Sequence, residues 1–282
     1  MTLSLRASTA AAVVAVASTL AVAATAGKPG VIQAGSSPSF GWPAGARAAV
    51  SLSFDDARPS QLDVGMPVFA ERSTHVTFYL TANRVGERPA DWRKAAAAGH
   101  ELANHTMTHP CSGNFEWSRT RALEDYTIDR MRAELLDANR AIAAATGVKP
   151  VTFAYPCGEK FVGRGAAVTS YVPVISELFL AGRGWLDEGP NDPAFVDPGQ
   201  VFGYPMDDRE FGALKAVVDD AIARGQWLVL AGHDVGVTPG AQVTRVSMLR
   251  ELIAYLREPS RRVWLETVAH VAEHIRSTRS VH

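Results

Sequence analysis

Short apolar runs alternate with longer amphipathic stretches from residue 47 to about residue 278, and this alternation restricts the fold more than any other feature. The runs are rich in β-branched and aromatic residues, which is typical of buried strands. The stretches between them repeat apolar residues at helical spacing. Strands that alternate with helices pack as parallel βα units, because each helix covers one face of the sheet. The sequence therefore predicts one α/β domain over residues 47–278.

The expected elements can be placed from these patterns. The predicted strands cover residues 48–54, 75–81, 150–156, 226–231 and 263–265. The predicted helices cover residues 92–98, 127–146, 210–224, 246–256 and 267–275. Gly99 and Gly147 fit the ends of the first two helices, because glycine readily adopts the left-handed conformation that ends a helix. Apolar residues make up 47% of the chain and charged residues 20%, which allows a sizeable core.

Polar residues follow the predicted strands at the point where each strand ends. Asp55 and Asp56 close the first strand, His105 follows the segment 101–103, Tyr155 lies at the end of the third strand and His233 follows the fourth. In parallel α/β folds and barrels, active sites assemble at the carboxyl ends of the strands. We therefore expect these side chains to converge.

Asp55 and Asp56 point in different directions, because side chains alternate along a strand. One carboxylate can bind a cation while the other faces a reactant, although an acidic residue after a strand also commonly caps a helix. His105 and His109 are four residues apart, on one helical turn or in a tight loop, and this spacing suits a divalent metal. Two histidines and one carboxylate form an open catalytic site that keeps a position for water. Cys111 leaves a closed structural site, with a fourth protein ligand, as an alternative.

His233 follows the apolar strand 226–231. A histidine opposite a metal can protonate a leaving group, because its pKa lies near neutrality. The alternative is a core histidine that is hydrogen-bonded to the backbone.

Four segments, taken in order, resemble the NodB-homology polysaccharide deacetylases, carbohydrate esterase family four. Ser53-Phe54-Asp55-Asp56 resembles the first motif of that family, and His105-Thr106-Met107-Thr108-His109-Pro110 resembles the second. Phe153-Ala154-Tyr155-Pro156-Cys157-Gly158 resembles the third motif and Leu230-Ala231-Gly232-His233 the fifth. The resemblance covers about residues 47–275, and the first two motifs are its specific part.

The resemblance implies a single-domain, distorted (β/α) barrel with its active site at the carboxyl ends of the strands. It implies a divalent metal, typically zinc, held by Asp56, His105 and His109. The same ligand set also admits cobalt, nickel or iron.

The resemblance also implies catalytic roles. Asp55 would be the general base, water activated by the metal would be the nucleophile, and His233 would be the general acid. Tyr155, Arg183 and the backbone N–H of Cys157 would contact the substrate or the tetrahedral oxyanion.

Two positions depart from the family's pattern. Ala154 stands where the third motif more often has an arginine that contacts the catalytic base, and Arg183 or Arg164 would have to supply that charge from elsewhere. The fourth motif of the family, which orients the histidine that acts as general acid, is not apparent. Its carboxylate is one of three candidates, Asp187, Asp207 and Asp208.

Cys111 and Cys157 are the only cysteines of the chain. Cys111 follows the second motif and Cys157 lies in the third, so both should flank the same pocket. We expect a Cys111–Cys157 disulfide that joins the two loops, with a metal-bound thiol as the alternative.

The first 26 residues have the features of a secretory signal peptide. Arg6 gives a positive start, residues 10–24 are apolar, and Ala24-Thr25-Ala26 is a small-x-small cleavage pattern. Residues 27–46, rich in Gly, Pro, Ser and Ala, are expected to be a linker or an arm on the domain surface. The apolar run is too short to span a bilayer comfortably. We therefore expect a secreted or periplasmic protein.

The net charge of −1 shows no basic excess for nucleic acid. The expected partner is an acetylated polysaccharide or oligosaccharide, N- or O-linked, and Trp117, Trp185 and Tyr204 are candidates for stacking on sugar rings. An amidohydrolase for a small cyclic amide or imide is a second hypothesis. A non-catalytic carbohydrate-binding protein on the same fold is a third. The sequence leaves the polymer and the oligomeric state open.

Overall fold

The computed structural model describes residues 40–280. The predicted signal peptide at 1–26 and the first part of the predicted linker, 27–39, lie outside the described residues. The strands are β1 Ala48–Asp55, β2 Thr77–Leu80, β3 Glu101–Asn104, β4 Thr152–Ala154, β5 Phe161–Val162, β6 Thr169–Ser170, β7 Ala181–Arg183, β8 Tyr204–Pro205, β9 Trp227–Gly232, β10 Asp234–Gly236, β11 Val243–Arg245 and β12 Val263–Leu265. The helices are α1 Met66–Ala70, α2 Ala82–Val85, α3 Pro89–Ala97, α4 Ile128–Thr146, α5 Val172–Leu178, α6 Phe211–Arg224, α7 Val246–Leu256 and α8 Val268–Arg279.

The main sheet is parallel and has the strand order β7-β4-β3-β2-β1-β9-β8, with β12 also paired to β1. All eight residues of β1 are buried, because helices cover one face and the barrel interior covers the other. This is the parallel (β/α) arrangement that the alternating sequence pattern predicts.

A short segment connects the two edges of the sheet. Val201 exchanges backbone hydrogen bonds with β7, where its N–H donates to Gly182 O at 2.8 Å and its carbonyl accepts from Gly184 at 2.7 Å. Three residues later, Tyr204 pairs with Leu230 of β9. Residues 201–205 therefore cross from one edge strand to the other, and the sheet becomes a distorted barrel.

The two faces of β1 differ in chemistry. Val50, Leu52 and Phe54 point outward into the largest apolar cluster, below the helices. Ser51 and Ser53 point the other way, where Ser51 accepts from the indole of Trp227 at 3.0 Å and Ser53 donates to Leu230 O at 2.9 Å. The interior face of the strand is therefore small and polar, and it leads directly to Asp55.

The described part of the predicted linker packs on the domain. Trp42 is 6% exposed and belongs to an apolar cluster with α8 and β9. Its indole N–H donates to Gly225 O at 2.9 Å, and its ring stacks on His274 at 5.9 Å. Residues 40–46 are thus an arm fixed to the barrel.

Three strands of the sheet, β3, β7 and β8, are not predicted from the sequence, and β8 has only two residues. β3 and β7 are four and three residues long, and each contains a charged residue that points into the barrel. Such segments show no apolar alternation that a sequence pattern would detect. The predicted strands at 75–81 and 150–156 exist, but their ladders are shorter, at Thr77–Leu80 and Thr152–Ala154.

No helix within residues 40–280 has both the length and the apolar character needed to cross a membrane.

Candidate active site

The two carboxylates at the end of β1 occupy different environments. Asp55 continues the interior face of the strand and is 3% exposed. Asp56 leaves the strand with a φ of 78°, and its N–H donates to Tyr79 O at 3.0 Å. Gln61 fixes this strand end, because its amide donates to Asp55 O at 2.5 Å and to His233 O at 3.0 Å. The divergence expected from strand alternation is present.

Asp56, His105 and His109 converge on one point. Asp56 Oδ1 lies 3.6 Å from His105 Nε2 and 3.4 Å from His109 Nε2. Ligand atoms bound to one tetrahedral zinc at about 2.0–2.2 Å lie roughly 3.3–3.6 Å apart. The spacing of the three atoms therefore fits a single divalent cation.

The remaining atoms of these three side chains are held in place. His105 Nδ1 lies 2.8 Å from Ala154 O, which leaves Nε2 as the free nitrogen of the ring. Asp56 Oδ2 accepts from the guanidinium of Arg58 at 2.8 Å and 3.1 Å, so Oδ1 is the oxygen that faces the histidines. Outer contacts of this kind orient the ligands of metal sites.

Helix α4 supports the histidine loop. The hydroxyl and the N–H of Thr108 both donate to the Glu134 carboxylate, at 2.7 Å and 2.8 Å. Asn104 accepts from Thr106 N at 2.7 Å and donates to Leu135 O at 3.0 Å. The two histidines therefore meet in a tight loop and not on a helical turn.

Burial keeps both histidines neutral. It lowers the pKa of His109 to about 4 and also lowers the pKa of His105, where it outweighs the opposing effect of Asp55 and Asp56. For Asp56, burial alone would raise the pKa, but His105, His109 and Arg58 hold the pKa of the carboxyl well below its usual range. Near neutral pH the cluster is a carboxylate with two neutral imidazoles, which is the protonation state that a metal requires.

Asp55 is paired with Arg183, which is fully buried. Arg183 lies on β7 directly opposite Ala154 of β4, and its guanidinium packs 4.8 Å from the ring centroid of Tyr79. Burial would raise the pKa of Asp55, but the charge and the hydrogen bond of Arg183, with a contribution from His233, lower it. The carboxylate is therefore ionised. Because Arg183 is buried, its contact is with Asp55 and not with a bound substrate. Arg164 is remote and pairs with Asp125.

His233 faces the same space from β9 and is paired with Asp207. Its Nδ1 lies 2.6 Å from Asp207 Oδ2, and the other oxygen of Asp207 accepts from Thr244 at 2.7 Å. Burial would lower the pKa of His233, but Asp207 and Asp55 raise it. Of the three candidate carboxylates, Asp207 is the one that contacts the histidine. Asp187 instead accepts from Gly203 N at 2.8 Å.

Cys111 and Cys157 are bonded to each other, with a Cα–Cα distance of 6.0 Å. Their sulfurs also lie near His109, but bonded sulfurs are not free thiolates, and the alternative of a metal-bound cysteine does not apply to this structure. The bond joins the histidine loop to the loop after β4.

The loop after β4 presents Cys157 to the cavity, whereas the Tyr155 side chain is largely withdrawn. Tyr155 is 1% exposed and packs in an apolar cluster, where its hydroxyl donates to Gly199 O at 2.7 Å. The hydroxyl of Tyr155 therefore supports the loop and is not free to bind a substrate.

The residues of the site line one cavity of about 410 Å³. Asp55, Asp56, His105, His109 and His233 all line it. Two of the predicted aromatics, Trp117 and Trp185, also line it, and the Trp185 ring meets the His233 ring edge-on at 4.9 Å. The third, Tyr204, packs instead against the main apolar cluster.

Comparison with known proteins agrees with this architecture. Residues 44–167 match the family described as polysaccharide deacetylase, a segment that contains Asp55, Asp56, both histidines of the cluster and Cys157. This match identifies a polysaccharide deacetylase segment within the chain and supports the resemblance to the NodB-type deacetylases. A protein from Mycobacterium smegmatis described as a polysaccharide deacetylase superposes with a TM-score of 0.63 at 19% identity, over 86% of this chain and 95% of that one. A family 4 acetyl xylan esterase from Clostridium thermocellum, solved with a cobalt ion, superposes with a TM-score of 0.54 at 19% identity, over 80% and 91%.

The chain spans less than half the length of the following two relatives. A chitooligosaccharide deacetylase from Sinorhizobium fredii is 36% identical over 34% of this chain, and the match spans 40% of its length. A gellan lyase from a Bacillus species is 26% identical over 76% of this chain, and that match spans 9% of its length.

Several cavity residues were not predicted from the sequence. Arg58, Arg84, Arg121 and Gln242 line the cavity but stand outside the recognised motifs. Arg58 lies two residues after Asp56, and a cation so close to a candidate metal ligand is the signal that could have indicated it. The other three come from α2, from the segment Glu116–Arg121 and from the loop before β11, which only the fold brings together.

Proposed function

We propose that this chain is a metal-dependent hydrolase that removes acetyl groups from a carbohydrate polymer. The observation that carries the proposal is the meeting of three units around one cavity: the Asp56–His105–His109 cluster, Asp55 and His233. A carbohydrate-binding protein would not need an ionised carboxylate and a histidine with a raised pKa in the same cavity as a candidate metal site.

The donor set fits a divalent cation, for which we propose zinc. Cobalt, nickel and iron suit the same ligands. Such a cation, held by Asp56, His105 and His109, would lower the pKa of water and polarise the acetyl carbonyl.

Asp55 is suited to the role of general base. Its lowered pKa keeps it ionised and able to accept a proton, and Arg183 fixes its orientation from inside the barrel. Asp55 would take the proton of the attacking water, while the backbone N–H of Cys157 would donate to the oxygen of the acetyl group as negative charge develops there.

His233 is suited to the role of general acid. Asp207 binds Nδ1, so Nε2 is the nitrogen that would give its proton to the departing sugar amine or hydroxyl. The edge-on Trp185 beside His233 would shield this proton transfer from water.

The substrate is proposed from the relatives and from the cavity. The related proteins include a chitooligosaccharide deacetylase and an acetyl xylan esterase, so N-acetyl and O-acetyl groups are both candidates. We further propose that the chain is exported, on the signal-like residues 1–26. Small-metabolite amide hydrolysis usually occurs in the cytoplasm, so export argues against that alternative.

The test is acetate release from a panel of acetylated polymers, measured with added zinc and with a chelator. Chitin oligosaccharides, acetylated xylan and acetylated pectin cover the N- and O-linked classes. Asp55→Asn should retain stoichiometric zinc and lose turnover, because the base is removed and the ligands remain. Zinc-dependent glycan binding without acetate release by the wild-type protein would contradict the proposal.

A further inference from the structure

Two arginines beside the Asp56–His105–His109 cluster have no acidic partner among residues 40–280. Arg84 and Arg121 both line the cavity. The other two arginines at this site are neutralised, because Arg183 pairs with Asp55, and Arg58 pairs with both Asp56 and Asp234. Within residues 40–280, no ion pair forms to Arg84 or Arg121, although Asp and Glu residues pair with many arginines elsewhere on the surface.

Arg84 and Arg121 lie in positions where an arginine usually has an acidic partner. Arg84 belongs to helix α2, and Arg121 ends the 3₁₀ segment Glu116–Arg121. Both residues are partly buried, and neither guanidinium gains a carboxylate, although Arg121 Nε donates to His109 O at 3.4 Å. Arg88, four residues after Arg84 and comparably buried, pairs with two aspartates. The cavity thus retains two positive charges that its own acidic residues do not neutralise.

Arg121 also borders an apolar platform. Its guanidinium carbon lies 5.5 Å from the ring centroid of Trp117, which is 51% exposed. Trp117 stacks on Phe115 with 5.5 Å between ring centroids and 24° between planes. Exposed, stacked aromatic rings offer a flat surface for the apolar face of a sugar. A sugar on this surface would have a cation at its side and the metal ligand His109 nearby, 5.9 Å from Trp117 between ring centroids.

We propose that the polymer is acidic, and that an anionic group on a sugar near the acetylated one binds Arg84 and Arg121. A guanidinium binds planar oxyanions through two parallel hydrogen bonds, which suits a uronate carboxylate or a sulfate ester. The bound cation would add to the positive potential of the cavity. This inference rests on the proposed function, since it assigns the substrate class of the same site.

The experiment uses one polymer in two charge states. Acetylated pectin carries its galacturonate carboxylates either free or as methyl esters, so charge changes while the acetyl groups remain. We expect kcat/KM for acetate release to be about tenfold or more higher on the free acid, the factor that a charge-assisted hydrogen bond contributes. The preference should decline as salt is raised, because salt screens charges at a partly exposed site.

Variants then connect the preference to the two arginines. Arg84→Gln and Arg121→Gln should each reduce the ratio of kcat/KM between free acid and methyl ester by about tenfold. Arg72→Gln is the matched control, because Arg72 is exposed and lies at the opposite end of the barrel, before β2. It should leave both rates unchanged.

The outcomes separate this inference from the proposed function. Acetate release at equal rates from free and esterified pectin, with the arginine variants affecting both equally, would overturn the inference and leave the deacetylase intact. If chondroitin sulfate is preferred over its desulfated form, the anionic group is a sulfate. If no polymer releases acetate, calorimetry of the zinc-loaded protein with oligogalacturonate decides: tight binding that weakens tenfold in the variants supports the anionic site, and binding no tighter than that of neutral xylo-oligosaccharides removes it.

Discussion

At the scale of single residues, Asp55, the proposed general base, is paired with Arg183 of β7. The register of β4 and β7 places Arg183 directly opposite Ala154. Both positions face the barrel interior beside Asp55, so a guanidinium from either strand can reach the carboxylate. The small alanine leaves the volume that the long side chain of Arg183 occupies. One strand thus supplies the charge that the neighbouring strand lacks.

Removing that arginine should impair the base without removing the metal. Burial raises the pKa of Asp55, whereas Arg183 lowers it, so the pKa should rise in Arg183→Ala. Because the proposed base must be ionised, the acid limb of the kcat profile should move to higher pH. We expect turnover at neutral pH to fall about 100-fold or more, the usual contribution of a general base. Zinc content, measured by elemental analysis, should stay near one per chain.

The variant also leaves a buried carboxylate unpaired, which costs about 3–5 kcal/mol of stability. Arg183→Lys is therefore the second variant, because it keeps the charge and loses the planar geometry. Wild-type turnover in both variants would exclude Arg183 as the residue that positions Asp55.

The second prediction at this scale concerns His233, the proposed general acid. Asp207 raises the pKa of His233, so the imidazolium persists above the ordinary value of 6.5. In Asp207→Asn this support is lost, and the alkaline limb of the kcat/KM profile should move to lower pH. Turnover should fall by roughly 100-fold, since general acids contribute at least this factor. Asp208→Asn is the control, because Asp208 is exposed. An unchanged alkaline limb in Asp207→Asn would contradict the assignment of Asp207.

Some residues of the site can be predicted from the sequence, whereas the partner of His233 cannot. Asp55, Asp56 and the two histidines could be named because adjacency and spacing are local properties. The partner of His233 could not be selected, because its identity depends on how residues 201–208 cross from β7 to β9. That crossing brings Asp207 to the histidine and leaves Asp187 on the backbone of Gly203.

At the scale of elements, the disulfide joins two loops that carry different parts of the site. Cys111 and Cys157 are 46 positions apart, and the segment between them includes all of α4. Closing a loop of this length restricts the unfolded chain, by roughly 3–4 kcal/mol in the entropy description. The Cys111→Ser/Cys157→Ser double variant should lose about that much in urea unfolding. Mass spectrometry without reduction provides the check on the wild-type protein, where two free thiols would rule out the bond.

The N-terminal arm is a second element with a measurable contribution. Trp42 is buried against α8, and truncating a buried tryptophan costs about 3–5 kcal/mol. Trp42→Ala should therefore lower the free energy of unfolding by that amount. Trp42→Phe retains most of the apolar contact and loses the hydrogen bond to Gly225, so about 1 kcal/mol is expected. Equal stability of Trp42→Ala and wild type would mean that the arm is not part of the folded domain.

Elements were predictable where they are long or strongly apolar. The helices α4 and α7 begin and end within one residue of the predicted bounds, because several turns repeat the same apolar spacing. β1 was found because all of its residues are buried and most are apolar. β7 has three residues and owes its place to pairing with β4 and Val201. That pairing is a tertiary property, which no local pattern encodes.

At the scale of the whole molecule, charged and titratable side chains from several strand ends meet at the carboxyl end of the barrel. Asp55 and Asp56 lie at the end of β1, His233 follows β9, and His105 and His109 lie in the loop after β3. Arg58 links the β1 end to Asp234 after β9 at 2.6 Å. A cation at the centre of these groups would therefore connect the β1 end and the loop after β3, in addition to any role in catalysis.

Metal binding should accordingly stabilise the fold. A ligand that binds only the folded state adds about 2.7 kcal/mol at 100 times its Kd. Zinc at that excess should raise the midpoint of thermal unfolding, and a chelator should reverse the change. His105→Ala removes a ligand and should abolish the shift, whereas His270→Ala, an exposed histidine on α8, should retain it. Because the free-energy gain depends on Kd and not on turnover, it can be measured in Asp55→Asn, which keeps all three ligands. A zinc-induced shift of full size in His105→Ala would place the cation elsewhere, and Asp56 and His109 would then have no common ion to bind.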